Sequence, residues 1–184
     1  MTAAADIQAV VLGASGYVGG EFLRLLAAHP RFRLCAAASR GDAGAPIASR
    51  FPHLAPVMAE RTFVAPADAL ACVERGAEAA LFSAAPHGAA AAMIADALEA
   101  CEQRNLHARV VDCSADFRYA DAAAYEAVYG AAHGAPRLLG EFLCAVPEHA
   151  ADADTVHVGH PGCFATALLL AAVPLAAAGI AAPR

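Results

Sequence analysis

Six cysteines stand in the chain, and the one at position 163 has the setting of a nucleophile. Cys163 follows His160-Pro161-Gly162 at the join between a short β-type run and a long apolar helix. The free N–H groups and positive dipole end of a helix stabilise an anion, so a cysteine there has a lowered pKa and more thiolate at neutral pH. The plain alternative is a buried, inert thiol, and that reading suits Cys35, Cys72, Cys101, Cys113 and Cys144, which are scattered through apolar runs. Pro161-Gly162 before Cys163 and Thr166 after it mark a strand-to-helix turn at a sheet edge, where α/β folds build sites.

A second group of residues suits a dinucleotide. Gly13, Ala14, Ser15, Gly16, Tyr17, Val18 and Gly19 follow a strand signal and open a helix signal, the context that a dinucleotide fingerprint requires. The glycines would allow a tight turn, close approach of a pyrophosphate to backbone N–H groups, and tight helix–strand packing. Their spacing is G-x-x-G-x-x-G, which departs from G-x-G-x-x-G, and a glycine turn without a ligand is the alternative. After the next strand, Ser39 and Arg40 stand where an NAD site usually carries an acid, and Asp42 lies beyond the expected place. Arg40 and Ser39 can pair with a 2′-phosphate, which favours NADP over NAD; a solvated surface arginine is the bland reading.

Two further loops fall at strand ends. Pro86-His87-Gly88 follows one strand, with Pro86 assigned to the cofactor and His87 to the substrate. Ser114 to Arg118 follows another, with Ser114 and Arg118 assigned to the substrate. An anionic substrate needs a fixed guanidinium for its carboxylate or phosphate, which Arg118 would supply. An ordinary loop histidine, and an Arg118 paired to Asp116 or Asp121, are the alternatives.

The elements that must position these residues alternate. Strands are predicted at 7–12, 32–38, 61–64, 79–83, 109–112, 141–146 and 155–158. Helices are predicted at 17–28, 67–75, 89–103 and 121–129, with a long loop at 39–56 and a last helix from Cys163 to 179. Short strands between helices of 10 to 15 residues imply βαβ crossovers, hence a Rossmann-type, doubly wound, mainly parallel α/β sheet with helices on both faces. The expected division is a nucleotide-binding domain over 1–162 running into the cysteine helix over 163–179.

A length of 184 residues allows one domain with a good core. A net charge of −6 without a basic cluster argues against a nucleic-acid partner. There is no C-x-x-C pair and no H-E-x-x-H, so no metal site is expected. The scattered cysteines read as reduced thiols in a cytoplasmic protein. The start MTAAADIQAV lacks a charged region before its apolar run, unlike a secretion signal. Residues 163–183 carry no charge, but Pro174, Gly179 and the alanine excess favour a helix packed inside an α/β domain over a membrane span.

Taken together, GASGYVGGEFLRLL, ASRGDAG, Phe51-Pro52-His53-Leu54, APHG, CSADFR, YEAVYG, Val146-Pro147-Glu148 and PGCFATALL resemble N-acetyl-gamma-glutamyl-phosphate reductase from about residue 7 to the end. Aspartate-semialdehyde dehydrogenases share the architecture, but SADFR points away from them; an aminoadipate homologue is also open. The resemblance implies NADPH-dependent reduction of an acyl phosphate to a semialdehyde in arginine biosynthesis, with Cys163 forming a thioester, and a homo-oligomer in the full-length family. His160 stands where the family usually has asparagine, and Phe164 where it usually has tyrosine. Family chains continue into a second α+β domain carrying an acid–base histidine, much of the substrate pocket and the oligomer interface. No histidine follows Cys163 here, so the expectation is a chain without that domain, with poor turnover alone, or a bare NADP-binding module.

Overall fold

The computed structural model describes residues 7–150 and 156–180. The first strand, β1 (Ile7–Leu12), is IQAVVL and is buried along nearly its whole length. Its side chains alternate between two cores. Ala9 and Val11 pack with Leu23 and Leu26 on one face, while Val10 and Leu12 pack with Leu70 and Ile94 on the other. A strand covered on both faces reads as an unbroken apolar run, which is why it was legible.

Helix α1 (Tyr17–Ala27) covers the first face and leads to β2 (Phe32–Ala38). After a longer connection come β3 (Glu78–Ser83), α4 (Ala90–Gln103) and β4 (His107–Asp112). The short helix α5 (Ala122–Tyr129) follows, capped by Asp121, whose Oδ1 accepts from the Ala124 N–H at 2.8 Å. Two short strands, β5 (Phe142–Cys144) and β6 (His157–Gly159), precede α6 (Cys163–Ala177). The sheet has six strands in the order β2-β1-β3-β4-β6-β5, all paired in parallel. The chain moves outward from β1 to β2, then returns to place β3 on the other side of β1. That reversal opens a crevice at the carboxyl ends of β1 and β3, where ligands bind in open α/β sheets.

The connection from β2 to β3 departs from the expected pattern. Instead of a strand at 61–64 there are two isolated bridges, Ala38 with Val64 and Pro46 with Thr62. Instead of a helix at 67–75 there is a 3₁₀ turn, Pro66–Asp68, followed by turns whose N–H groups bond three residues back. The cause is remote: the Glu74 N–H is taken by the Gln8 side chain at 3.0 Å and the Val73 carbonyl by the Arg104 guanidinium at 2.5 Å. A helix this short nucleates poorly and yields to such partners. The 39–56 loop is also more ordered than expected. It holds α2 (Ile47–Arg50), a 3₁₀ turn at Pro52–Leu54 and then α3 (Ala55–Met58), and buries Ile47, Leu54 and Met58 against the α1 face.

The last helix is a correction of another kind. Expected inside the domain, α6 contains no buried residue, and Phe164 and Leu168 are 90% and 67% exposed. Its apolar composition signals a need for cover without specifying what supplies it. No helix among the described residues is long and apolar enough to cross a membrane. The expected strand start at Thr155 and the chain's first six residues lie outside the described residues.

Candidate active site

The glycine turn after β1 is shaped by contacts that exclude side chains. Gly13 has φ +72°, and a Cβ there would lie 2.7 Å from backbone atoms of Ala84 and Ala85 at the end of β3. Gly19 is pressed on Ala14, whose carbonyl oxygen would be 2.5 Å from an added Cβ. Gly16 caps α1 with no side-chain hydrogen bond, and a Cβ on it would meet only the Gly13 oxygen at 3.8 Å. The first-turn N–H groups at 17–19 have no carbonyl of their own helix to bond. Such a turn fits the pyrophosphate of a dinucleotide: a positive helix end, open backbone donors and no Cβ in the way. Tyr17 and Val18 beside it are exposed.

The β2 end docks on this turn. The Ala14 N–H donates to the Ala38 carbonyl at 2.8 Å, and the Ser15 and Ser39 hydroxyls lie 2.8 Å apart. Ser39 is 3% exposed and also donates to Asp42 Oδ2 at 3.1 Å while accepting from the Asp42 N–H at 3.2 Å. Its hydroxyl is therefore engaged within the turn, and Ser39 positions Asp42 rather than presenting a free donor. Arg40 is exposed and lines a mostly apolar cavity of about 470 Å³ with Leu12, Pro66, Leu70, Ala89 and Met93, large enough to admit an adenine ring.

The loops after β3 and β4 are joined by one buried carboxylate. Asp116 is wholly buried, and its Oδ1 accepts from the Gly88 N–H at 2.8 Å, the Tyr125 hydroxyl at 3.2 Å and His87 Nδ1 at 2.7 Å. Its Oδ2 accepts from the Ala91 N–H at 2.9 Å, so a residue of the β4 loop caps the start of α4. The Asp116 backbone is held in turn: its N–H donates to Ser114 Oγ at 3.0 Å, and its carbonyl accepts from His133 Nε2 at 2.8 Å. His133 Nδ1 accepts from the Ala135 N–H, which leaves the proton on Nε2. Ser114 donates its hydroxyl to Asp112 Oδ2, so it too is engaged internally. Burial pushes the Asp112 carboxyl up, and the Ser114 hydrogen bonds oppose that.

Arg118 takes neither acid considered for it in sequence. Its Nε donates to the His160 carbonyl at 3.1 Å, and a Cβ on Gly162 would lie 2.9 Å from its Nη2. Arg118 thus packs on the turn that carries Cys163. A cleft of about 260 Å³ runs between Val18, Ala84, His87, Cys113, Ser114 and Arg118, and so connects the start of α1 to the arginine that touches that turn.

Cys163 is exposed and is the first residue of α6, after Gly162 at φ +102°. His160 organises the turn. Its N–H donates to the Asp112 carbonyl at 2.8 Å, and its Nδ1 accepts from the Gly162 N–H at 3.1 Å. The latter is the contact that an asparagine side chain makes two residues ahead, which explains how histidine serves at this position. With Nδ1 accepting, Nε2 carries the proton and donates to Thr166 Oγ1 at 3.1 Å. Burial, and then Arg118 beside it, holds the imidazole below its ordinary pKa. His160 is a neutral brace of the turn. Four of the other cysteines are held protonated: burial pushes Cys101 and Cys113 up to about 11, and raises Cys35 and Cys144 as well.

The structure gathers Val18, His87, Ser114 and Arg118 along one cleft with Pro86 at the start of α4, and sets Ser39 and Arg40 at the other side of the glycine turn. Sequence reasoning missed the hub role of Asp116, the tautomer-fixed His133, and Asp42 drawn back to the turn. Asp116 gave a signal, because an acid flanked by Ser114 and Arg118 in a strand-end loop is a natural cap.

Residues 8–153 match the family model described as semialdehyde dehydrogenase, NAD binding domain. The chain is 38% identical over 95% of its length to N-acetyl-gamma-glutamyl-phosphate reductase of Pseudomonas aeruginosa, covering 48% of that protein. It is equally similar to a protein of Aeropyrum pernix whose name covers both L-2-aminoadipate and L-glutamate phosphates, at 38% identity over 95% of this chain and 47% of the other. The chain spans about half the length of these curated relatives. Among solved structures, aspartate semialdehyde dehydrogenase of Candida albicans with NADP superposes with a TM-score of 0.55 at 18% identity, over 95% of this chain and 48% of that one, a likeness of fold.

Proposed function

The chain belongs to the semialdehyde dehydrogenase NAD-binding domain family, and from that premise we propose that it is the cofactor-binding and nucleophile-bearing part of an NADPH-dependent acyl-phosphate reductase. The reaction is reduction of N-acetyl-L-glutamyl 5-phosphate to the semialdehyde, a step of arginine biosynthesis, in keeping with the names of its relatives. The observation that carries this reading is the cleft running from the glycine turn to Arg118, which packs on the Cys163 turn.

In this scheme the Cys163 thiolate attacks the acyl carbon, a C–S bond forms, and the C–O bond to phosphate breaks with release of phosphate. The helix N–H groups behind Cys163 face the oxyanion of the tetrahedral species. Arg118 and the cleft wall hold the anionic groups of the substrate. NADPH, when bound, supplies the hydride that reduces the thioester carbonyl. The resulting thiohemiacetal breaks its C–S bond, releases aldehyde and restores the thiolate. Dividing the reduction in this way uses the high reactivity of an acyl phosphate toward sulfur. Gly13, Ser15, Gly16, Tyr17, Val18 and Gly19 hold the pyrophosphate, Arg40 the 2′-phosphate, and Pro86 borders the nicotinamide side. His87 and Arg118 face the substrate, with Ser114 bracing the loop.

The test is NADPH oxidation with the acyl phosphate, using wild-type chain and Cys163→Ser, beside equilibrium binding of NADPH. Turnover abolished by the serine variant supports the reading. Binding without turnover selects a cofactor-binding module. Because one relative is named for a 2-aminoadipate phosphate as well, the longer acyl phosphate belongs in the same assay.

A further inference from the structure

Resting on the reading that the glycine turn holds an adenine dinucleotide, we propose that Asp42 sets cofactor selectivity: it accepts the adenosine ribose hydroxyls and opposes the 2′-phosphate that Arg40 attracts. The position is a consequence of the Ser39 hydroxyl. Ser39 leaves β2 where Ala38 is hydrogen-bonded to the glycine turn, and it draws the following loop back through Asp42 Oδ2 at 3.1 Å and the Asp42 N–H at 3.2 Å. With Ser15 Oγ 2.8 Å away on its other side, that hydroxyl is engaged within the turn.

What this corner offers a ribose is therefore a carboxylate and a guanidinium from one short loop. Asp42 is only half-buried, and Arg40 is exposed at the apolar cavity. A carboxylate accepts from hydroxyls and repels a phosphate, whereas a guanidinium does the reverse. The Asp42 carboxyl is held below the usual carboxylate range by hydrogen bonds from Ser15 and Ser39, with Arg50 adding to the effect, so the charge persists at neutral pH. Arg50 Nε donates to the Ser15 carbonyl at 3.0 Å, which fixes the same corner from outside. Counting residues from the glycine turn places the acid too late; the Ser39 turn folds it back into reach.

The experiment titrates the whole chain with NADPH and with NADH by calorimetry, for wild type, Asp42→Asn, Asp42→Ser and Arg40→Gln. Asparagine retains an oxygen for the Ser39 hydroxyl, and serine is a shorter acceptor should the amide strain the turn; thermal unfolding confirms that each variant is folded. Both Asp42 variants are expected to raise the NADPH-to-NADH affinity ratio about tenfold, the effect of removing one charge near a phosphate at a solvent-facing site. Arg40→Gln should move the ratio the other way. A ratio unmoved within about twofold in both Asp42 variants overturns the inference while leaving the cofactor reading in place. If the wild type binds neither nucleotide, the cofactor reading fails and the inference with it.

Discussion

Substituting alanine at Gly19 and at Gly16 separates the packing of the glycine turn from its role in binding. At Gly19 the new Cβ would lie 2.5 Å from the Ala14 oxygen and 2.6 Å from two further backbone atoms of Ala14. Carbon contacts settle near 3.5–4.0 Å, so α1 must lift by about 1 Å. Because the clash is with backbone that cannot rotate aside, the overpacking cost falls in the upper part of its usual range, about 2–3 kcal/mol, and the better helix propensity of alanine returns about 1 kcal/mol. The expected net loss is about 1–2 kcal/mol, which for a domain of this size lowers Tm by about 2–8 °C. The lifted first turn also moves its N–H groups, so NADPH binding should weaken. Gly16 behaves differently: its φ of −82° suits any residue, and its Cβ meets only the Gly13 oxygen at 3.8 Å. Alanine at Gly16 should leave Tm within about 1 °C yet project a methyl to where a pyrophosphate must approach, and so weaken NADPH binding. Thermal unfolding followed by circular dichroism, and nucleotide titration, read the two effects apart. A Gly19→Ala chain as stable as wild type would refute the packing argument, and a Gly16→Ala chain that binds NADPH normally would refute the phosphate cradle.

Alkylation with iodoacetamide at pH 7.5, read by peptide mass mapping, should label Cys163 first and Cys101 and Cys113 last. At a pKa of about 11 the last two keep fewer than about one thiol in a thousand ionised at that pH; labelling them as fast as Cys163 would count against the assignment of the nucleophile. Asp116→Asn should destabilise by about 2–4 kcal/mol in chemical denaturation, because its amide NH₂ would face donors of Gly88, Ala91, Tyr125 or His87; an unchanged midpoint would contradict the hub. His160 has its pKa pushed below the ordinary 6.5, so between 6.5 and the lowered value the unfolded chain binds more protons than the fold. Its contribution is intact above pH 6.5 and is lost as pH falls below that value. Tm should therefore drop more from pH 7.5 to 5.5 in the wild type than in His160→Asn, and equal drops would show that the brace does not titrate as argued.

The sheet was legible because its signals are local. Apolar runs such as IQAVVL and FRLCAAA, punctuated by Gly13 and Pro30, need no knowledge of partners, and both strands match the predicted ranges. The 61–75 segment was illegible because its hydrogen-bond partners, Gln8 and Arg104, come from elements far away in sequence. The site divides along the same line. Glycines betray themselves by type, and Arg118 by its loop, but a serine does not reveal whether its hydroxyl is spent. Ser39 and Ser114 read as ligand contacts, and both hydroxyls turn out to be engaged inside the protein. The same blindness hid Asp42, whose reach depends on the turn that Ser39 closes.

The setting of Cys163 depends on its first turn more than on the helix that follows. Gly159, where a Cβ would lie 2.3 Å from the Phe117 carbonyl oxygen, lets the SADFR loop close over β6. Arg118 of that loop then grips the His160 carbonyl, and His160 ties Gly162 and Thr166 together. These contacts fix Cys163 whether or not the rest of α6 is covered. Beyond Thr166 the helix has no buried residue, and an uncovered helix of 15 residues is marginal in water. The N–H groups free to face an anion are those of the first turn, and their field falls off within that turn. The part of α6 that sets the surroundings of the sulfur is therefore the part that the His160 turn already holds, while the apolar remainder, Leu168, Leu170, Val173 and Leu175 among it, is a surface whose burial would stiffen the helix without moving Cys163.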